Sequence, residues 1–458
     1  MTDRLIKLDK AMKVNIKNVI LLWIVVCLLI PAEFRLAGIS VLDFMTFSII
    51  ALSLLAYLSR GGSRIELSDV EKSYLLFMTT ILVGYCLNSF RPFTEQLNFV
   101  QSRGLATHFL YARLSFYGFM TVLMLLGGYH IVSKTMTTEK DIKSVVWTIL
   151  LCGGVNAFIT NVYWFINTGA TFERYNFVPP IEGSQGVHMN YMSIVALLAI
   201  SFVFSKSLNK LQRLSVLLVL VLAGFSILTV MVRQGWVMFV VSVVLFILLY
   251  TLKKPTHSNN KKIALLSLLF FSTIGILIVR NQEIILSLFI EVFTAGADPD
   301  QGSWLMRFTL IQRGVEVFRD NMFLGVGYGH YPAYSTVPVL NTGVETYVNS
   351  PHNGIIAILA ETGIIGLICI FMISISLFNE VRKAYVIVQN ETSISVASAV
   401  FSLTIITIFS QLISNSLIMP IPTERTMIQN AFLLLILFSL IAGFSKDKYL
   451  NNKTPIQN

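Results

Sequence analysis

The sequence predicts an all-α integral membrane protein with about 12 transmembrane helices. Three observations predict it. The chain of 458 residues is 55% hydrophobic and only 13% charged, against about 25% charged in a typical soluble domain. Its mean hydropathy is +0.73. Its apolar residues gather into runs close to the roughly 20 residues that a helix needs to cross a bilayer. A soluble enzyme, a secreted disulfide scaffold and a disordered chain are excluded.

The runs fall at roughly 18–34, 38–58, 73–90, 113–133, 142–167, 188–205, 212–231, 233–251, 262–279, 354–378, 394–418 and 427–445. The first follows Lys7, Lys10, Lys13 and Lys17, a pattern shared with signal peptides. Pro31-Ala32-Glu33-Phe34 offers no small-x-small cleavage site, so this run reads as an uncleaved first span. The chain thus divides into nine transmembrane helices at 1–279, a large helical loop at 280–353, and three transmembrane helices with a tail at 354–458. Within the loop, Asn281–Phe293 reads as an amphipathic helix for a membrane surface. Ser303–Arg319 reads as a second helix with Ser303 as N-cap, ended by the turn Gly325-Val326-Gly327-Tyr328-Gly329.

Charge sets the orientation. With the N-terminus in the cytoplasm, the inside segments hold 23 of the 34 basic residues, including every lysine. The positive-inside rule then accounts for the net charge of +10 without a nucleic-acid partner. Both termini fall inside, and the large loop falls outside. The remaining 11 basic residues are all arginine, the residue suited to bidentate binding of phosphate and carboxylate. The four cysteines, Cys27, Cys86, Cys152 and Cys369, lie inside apolar runs and suggest neither disulfides nor a zinc site.

Four places carry candidate chemistry. Asn349-Ser350-Pro351-His352-Asn353-Gly354 leads into the tenth span. Ser350 as N-cap with Pro351 at the first helical position would put His352 in the first turn, where the helix dipole favours neutral imidazole and hence a general base. Arg233 breaks two apolar runs at the outer tip of a hairpin, a costly placement that marks function. Arg307 and Arg313 lie six residues apart on the loop helix and so face different sides; Arg319 can pair with Glu316. Glu361 lies inside the tenth span, where an acid faces a partner or a cavity. Each has an ordinary structural explanation when taken alone: a hydrogen-bonded histidine at a helix start, interfacial arginines, a buried hydrogen-bonding acid. The glycine turn lacks the Lys-Ser/Thr of a P-loop and reads as a place where backbone approaches something closely. Asp298-Pro299-Asp300 is a weak metal pattern, and the scattered histidines form no metal cluster.

In order and spacing, these residues resemble a known signature. Trp304-Leu305-Met306-Arg307, then Gly325-Val326-Gly327, then Pro351-His352-Asn353, then Glu361-Thr362-Gly363-Ile364-Ile365-Gly366 resemble the O-antigen polymerase and O-antigen ligase superfamily, and Arg233-Gln234-Gly235-Trp236 resembles its arginine between adjacent spans. Leu324, the proline-free Asn321-Met322-Phe323 and Val232 depart from that pattern but touch no proposed chemical group. The resemblance implies a fold like the all-helical membrane glycosyltransferases, in a bacterial inner membrane with the active site facing the periplasm. It implies a polyprenyl-diphosphate-linked oligosaccharide as donor and a sugar hydroxyl of a lipid-linked glycan as acceptor. A chain-length regulator protein is a candidate partner beside the membrane lipids. Transfer would be inverting, with no metal and no cofactor.

The role assignments rest on that resemblance. Arg233 and Arg307 would bind the diphosphate, and His352 would deprotonate the acceptor hydroxyl. Arg313, Arg91, Arg103 and Glu361 are further candidates for substrate contact. Polymerase and ligase share the donor chemistry and differ in acceptor. A twelve-span transporter or flippase is the competing class, since Ser59-Arg60-Gly61-Gly62-Ser63-Arg64 resembles the basic loop of major-facilitator transporters. Against it, no long inside loop divides two six-helix halves.

Overall fold

A computed structural model describes residues 2–31, 34–36, 39–40, 44–45, 47–49, 51–52, 67–88, 107–169, 178–181, 185–204, 208–230, 233–253, 303–334, 336–338, 345–347, 351, 353–410 and 431–444. Ten of the twelve expected runs coincide with helices. They are α1 (Thr2–Leu29), α2 (Asp69–Asn88), α3 (Thr107–Thr135), α4 (Glu139–Thr168), α5 (Gln185–Val203), α6 (Lys210–Thr229), α7 (Arg233–Lys253), and, after α8 (Ser303–Asp320) and the one-turn α9 (Tyr331–Tyr334), α10 (Gly354–Ile387), α11 (Glu391–Ser410) and α12 (Ala431–Phe444). Seven of these are long and apolar enough to cross a membrane, and α12 and the Ile16–Leu29 part of α1 are shorter apolar helices. The expected span 262–279 and most of 38–58 lie outside the described residues, as does the surface helix expected at Asn281–Phe293.

The expectation of an all-α chain needs a small amendment. Two short antiparallel ribbons are present, β1 (Arg35–Leu36) with β2 (Ile39–Ser40) and β3 (Thr336–Pro338) with β4 (Glu345–Tyr347). They fall in connections, where the backbone pairs with itself for lack of a helix.

The helices close into a ring. α1 packs on α4, α4 on α5, α5 on α11, α11 on α10, α10 on α2, α2 on α3, and α3 on α1. α12 fills its middle. Its run Ala431–Phe444 is apolar on all sides and buried along its whole length, as such a helix must be unless it faces lipid all round. Phe432 meets Trp23 of α1 edge-on at 5.8 Å, and its ring lies over Gly128 of α3. On the far side Leu434 lines a small cavity with Asn190 of α5, Ser242 of α7 and Thr407 of α11. α6 and α7 pack outside the ring. Leu211, Leu214, Leu218, Val221 and Phe225 form an exposed apolar stripe down α6. Such a face needs lipid rather than water.

The two ends of the bundle differ. At one end sit a pair between Lys17 and Asp141 at 2.7 Å, the Asn390 amide donating to Glu139 at 3.0 Å, His130 against Glu71, and the Tyr129 hydroxyl donating to Glu380. Lys253, the last residue of α7, donates to Val386 O at this end, and the Tyr385 hydroxyl donates to Leu249 O at 2.6 Å. α7 and α10 therefore run parallel, and both begin at the opposite end. α8 lies at that opposite end too, against the start of α10.

Candidate functional site

The site is built where α8 meets the start of α10. On α8, Leu310, Gly314 and Val317 are buried while Phe308 and Val315 are exposed, the i, i+4, i+7 stripe of an amphipathic helix. Gly314 is the contact point. A Cβ there would overlap Ile356 and lie 3.1 Å from Pro351 Cβ. The missing side chain lets α8 lie directly on Pro351 and Ile356.

The chain after α8 is spliced into α10. At Gly363 the helix breaks, with φ 66° and ψ −166°. A break there costs two bonds of the helical ladder, Ile364 N to Ala360 O and Ile365 N to Glu361 O. All four freed groups find partners in the turn. Val326 N donates to Ala360 O at 2.9 Å and Gly327 N to Glu361 O at 2.8 Å; Ile364 N donates to Met322 O at 2.8 Å and Ile365 N to Phe323 O at 3.4 Å. Buried unpaired backbone is expensive, and this exchange leaves none of the four unpaired. Gly325, at φ 65°, would drive a Cβ into the Glu361–Thr362 peptide, and Gly363 would drive one into the Phe323 carbonyl, 2.6 Å from Leu324 N. Two glycines at positive φ thus let two backbones touch. The close approach expected of the 325–329 turn is an approach to α10.

Glu361 completes the splice. It is 2% exposed. Its carboxylate accepts from the backbone N–H of Tyr331, 3.3 Å from Oε1, and of Gly329. Through these two bonds it holds the turn and the start of α9. The Tyr331 hydroxyl, also buried, donates to Leu310 O of α8 at 3.3 Å. Tyr331 and Glu361 therefore tie α8 to α10. Tyr328 packs edge-on to Phe77 of α2 at 5.7 Å. Burial first, then the neighbouring Glu361 carboxylate, push the Tyr328 phenol well above its ordinary pKa, so it is a neutral ring in the core. His330, 1% exposed, packs over Gly327.

Arg313 is committed to the same assembly. One guanidinium nitrogen donates to Glu316 at 3.0 Å and the other to Tyr334 O at 3.0 Å, closing the end of α9. Glu316 therefore pairs with Arg313, and the expected Arg319–Glu316 pair is replaced by Arg319 with Asp320 at 3.7 Å. Arg313 wins because its second bond already fixes it over the acid.

The expected start of the tenth span is also corrected. The N-cap is Asn353, not Ser350. Its Oδ1 accepts from Ile355 N and Ile356 N, both at 3.1 Å, and α10 begins at Gly354. Pro351 is buried against Gly314 rather than opening the helix. With the helix starting at Gly354, position 352 precedes the N-cap, so the argument that puts a histidine inside the first turn does not hold. His352 itself lies outside the described residues, between Pro351 and Asn353. Arg233 is the first residue of α7 and Arg307 the fifth of α8; both side chains lie outside the described part. The first residue of α7, the first turns of α8 and the described Pro351 and Asn353 belong to the same end of the bundle. Arg91 and Arg103 lie outside the described residues, as does Asp298-Pro299-Asp300. Among the described residues no three His, Cys, Asp or Glu side chains are grouped to hold a metal ion.

Sequence reasoning passed over Tyr331, His330 and His188. The usable signal was a polar residue inside or beside an apolar run, as with His188 in α5.

Fold and site together define a class: a polytopic helical membrane protein whose extramembrane helix and glycine turn are built into a broken span. Residues 218–371 match the family model described as O-antigen ligase. The match runs from α6 through α7, α8 and the splice into α10, about a third of the chain, and supports the O-antigen polymerase and O-antigen ligase superfamily that the motifs resemble. No curated protein matches the chain.

Proposed function

We propose that this protein is a membrane glycosyltransferase that polymerises O-antigen or related surface-polysaccharide repeat units. It transfers glycan from a polyprenyl-diphosphate donor to a sugar hydroxyl of a lipid-linked acceptor. Members of the matched family are glycosyltransferase-like enzymes. The observation that carries the reading is the lock between α8 and α10. Gly314 against Pro351 and the four-bond splice hold the helix of Arg307 against the residue next to His352, at the end of the bundle where Arg233 begins α7.

In this reading the chain spans the bacterial inner membrane twelve times, with both termini in the cytoplasm and the site facing the periplasm. Arg233 and Arg307 neutralise the diphosphate, already a good leaving group. His352 takes the proton of the acceptor hydroxyl as its oxygen bonds to the anomeric carbon. The bond from that carbon to the phosphate oxygen breaks, and the configuration inverts. The chemistry needs no general acid and no metal. Arg313 and Glu361 serve as framework, with Arg91 and Arg103 as candidates for a glycan groove.

The description of the matched model favours a second reading, a ligase that moves finished glycan onto lipid A-core or a protein. A gel of surface and lipid-linked polysaccharide from a strain lacking the gene separates the two. Single repeat units on lipid A-core, with no ladder, mean polymerase. Long glycan stranded on polyprenyl diphosphate beside bare lipid A-core means ligase. Wild-type patterns for both refute the proposal.

A further inference from the structure

The hairpin that carries Arg233 is held from a second side, by a residue outside every motif of the superfamily signature. His188, in the first turn of α5, is 0% exposed, between Val187 and Met189, which are buried too. Its Nε2 lies 2.6 Å from Ser226 Oγ of α6, also 0% exposed. Ser226 sits in the last turn before the hairpin. Its carbonyl accepts from Thr229 Oγ1 at 3.0 Å and from Val230 N at 3.3 Å. One residue further on, Ile227 O accepts from the Trp236 indole N–H at 2.9 Å across the hairpin. Next to His188, Met189 packs on Gly235 so closely that a Cβ there would lie 2.9 Å from its Cε. The first turn of α5 thus grips both legs of the hairpin: Ser226 before Arg233, and Gly235 after it.

An ionisable side chain buried among spans is costly and is retained where it does work. A leucine at 188 would pack without a partner, yet would take from Ser226 Oγ the bond that ties the last turn of α6 to α5. We propose that His188 is a positioning residue. Through Ser226 it fixes the α6–α7 hairpin and so the place at which Arg233 meets the donor's diphosphate. The inference rests on the reading of Arg233 as a diphosphate ligand.

The test uses the full-length protein in detergent, a polyprenyl-diphosphate-linked repeat unit as donor, and the variants His188→Ala, Ser226→Ala, their double, His188→Gln and Arg233→Ala. A buried hydrogen bond broken on one side costs on the order of tenfold in an equilibrium. His188→Ala and Ser226→Ala should each raise the donor KM about tenfold, with kcat within about threefold. The double should be no worse than either single, because both remove one link. His188→Gln, whose amide can still bond Ser226, should bring KM back to within about threefold of wild type by the same reasoning. If His188→Ala does not accumulate, Ser226→Ala and His188→Gln decide, as both change less volume. Wild-type KM in Ser226→Ala, or effects that multiply in the double, overturn the proposal. Hairpin position is read separately from the labelling rate of Gln234→Cys by a membrane-impermeant maleimide, in a Cys86→Ser background. A rate changed by His188→Ala while Arg233→Ala leaves KM untouched keeps the positioning role and refutes Arg233 as the diphosphate ligand. A raised KM in Arg233→Ala with neither KM nor labelling altered by His188→Ala refutes the positioning role alone.

Discussion

Replacing Gly363 by alanine tests whether the α8–α10 splice is the framework of the site. The geometry imposes two costs. The backbone at φ 66°, ψ −166° is a region almost reserved for glycine, at about 1–3 kcal/mol for another residue. The added Cβ would also overlap the Phe323 carbonyl and sit 2.6 Å from Leu324 N. These are backbone atoms, so no side-chain rotation relieves the clash. The turn must back away, and with it go the four exchanged hydrogen bonds at Ala360, Glu361, Ile364 and Ile365. At about 1 kcal/mol net each, full parting adds about 4 kcal/mol. Because the splice sets α8 against α10, a shift of about 1 Å between them is enough to cost on the order of 100-fold in rate. The assay is thermal unfolding in detergent together with glycan transfer from a lipid-linked donor. Gly224→Ala is the control, since a Cβ at Gly224 meets nothing within 4 Å and alanine favours the helix by about 1 kcal/mol. Gly363→Ala should lose stability and nearly all transfer, while Gly224→Ala keeps both. Wild-type Tm and transfer in Gly363→Ala would refute the splice as a constraint.

Three further outcomes are expected. Glu361→Ala leaves the Gly329 and Tyr331 amides without their acceptor, at about 1–3 kcal/mol, and should lower Tm and activity together; Glu361→Gln, which keeps one acceptor oxygen, should retain most activity, and a well-folded but dead Gln variant would show that the carboxylate handles charge. Tyr331→Phe removes the bond to Leu310 O and should cost about 1 kcal/mol, read as a lower Tm; an unchanged Tm would show that this bond does not tie α8 down. His352→Ala should reduce transfer about 10²- to 10⁴-fold at unchanged protein level, and continued product formation at wild-type rate would remove it as the base.

The spans were legible because their signal is local. An apolar run of the right length reads the same in the chain as in the bundle, but the all-round apolar character of Ala431–Phe444 suits a lipid-facing span as well as a buried one, and only the packing shows it buried. The splice was half legible. Glycines at 325, 327 and 329 announce a close backbone approach, but their partner lies more than thirty residues on, and Gly363 and Gly366 read equally well as small residues of a packed span. The break is visible only where Phe323 O occupies the space that a Cβ at 363 would take. The start of α10 was misplaced for a related reason. Ser350-Pro351 and Asn353 are both good local starts, and tertiary packing chooses between them: Pro351 is drawn against Gly314, which leaves capping to Asn353. The Arg319–Glu316 pairing failed likewise, since Tyr334 O recruits Arg313 and brings the competing cation to the acid. Sequence reasoning therefore identifies residues whose chemistry is rare in their surroundings, such as Glu361, without naming the atoms that each one touches. Glu361 reads from the sequence either as a buried hydrogen-bonding acid or as a substrate contact. In the bundle its carboxylate accepts from the amides of Gly329 and Tyr331, contacts that make it part of the backbone frame around the turn.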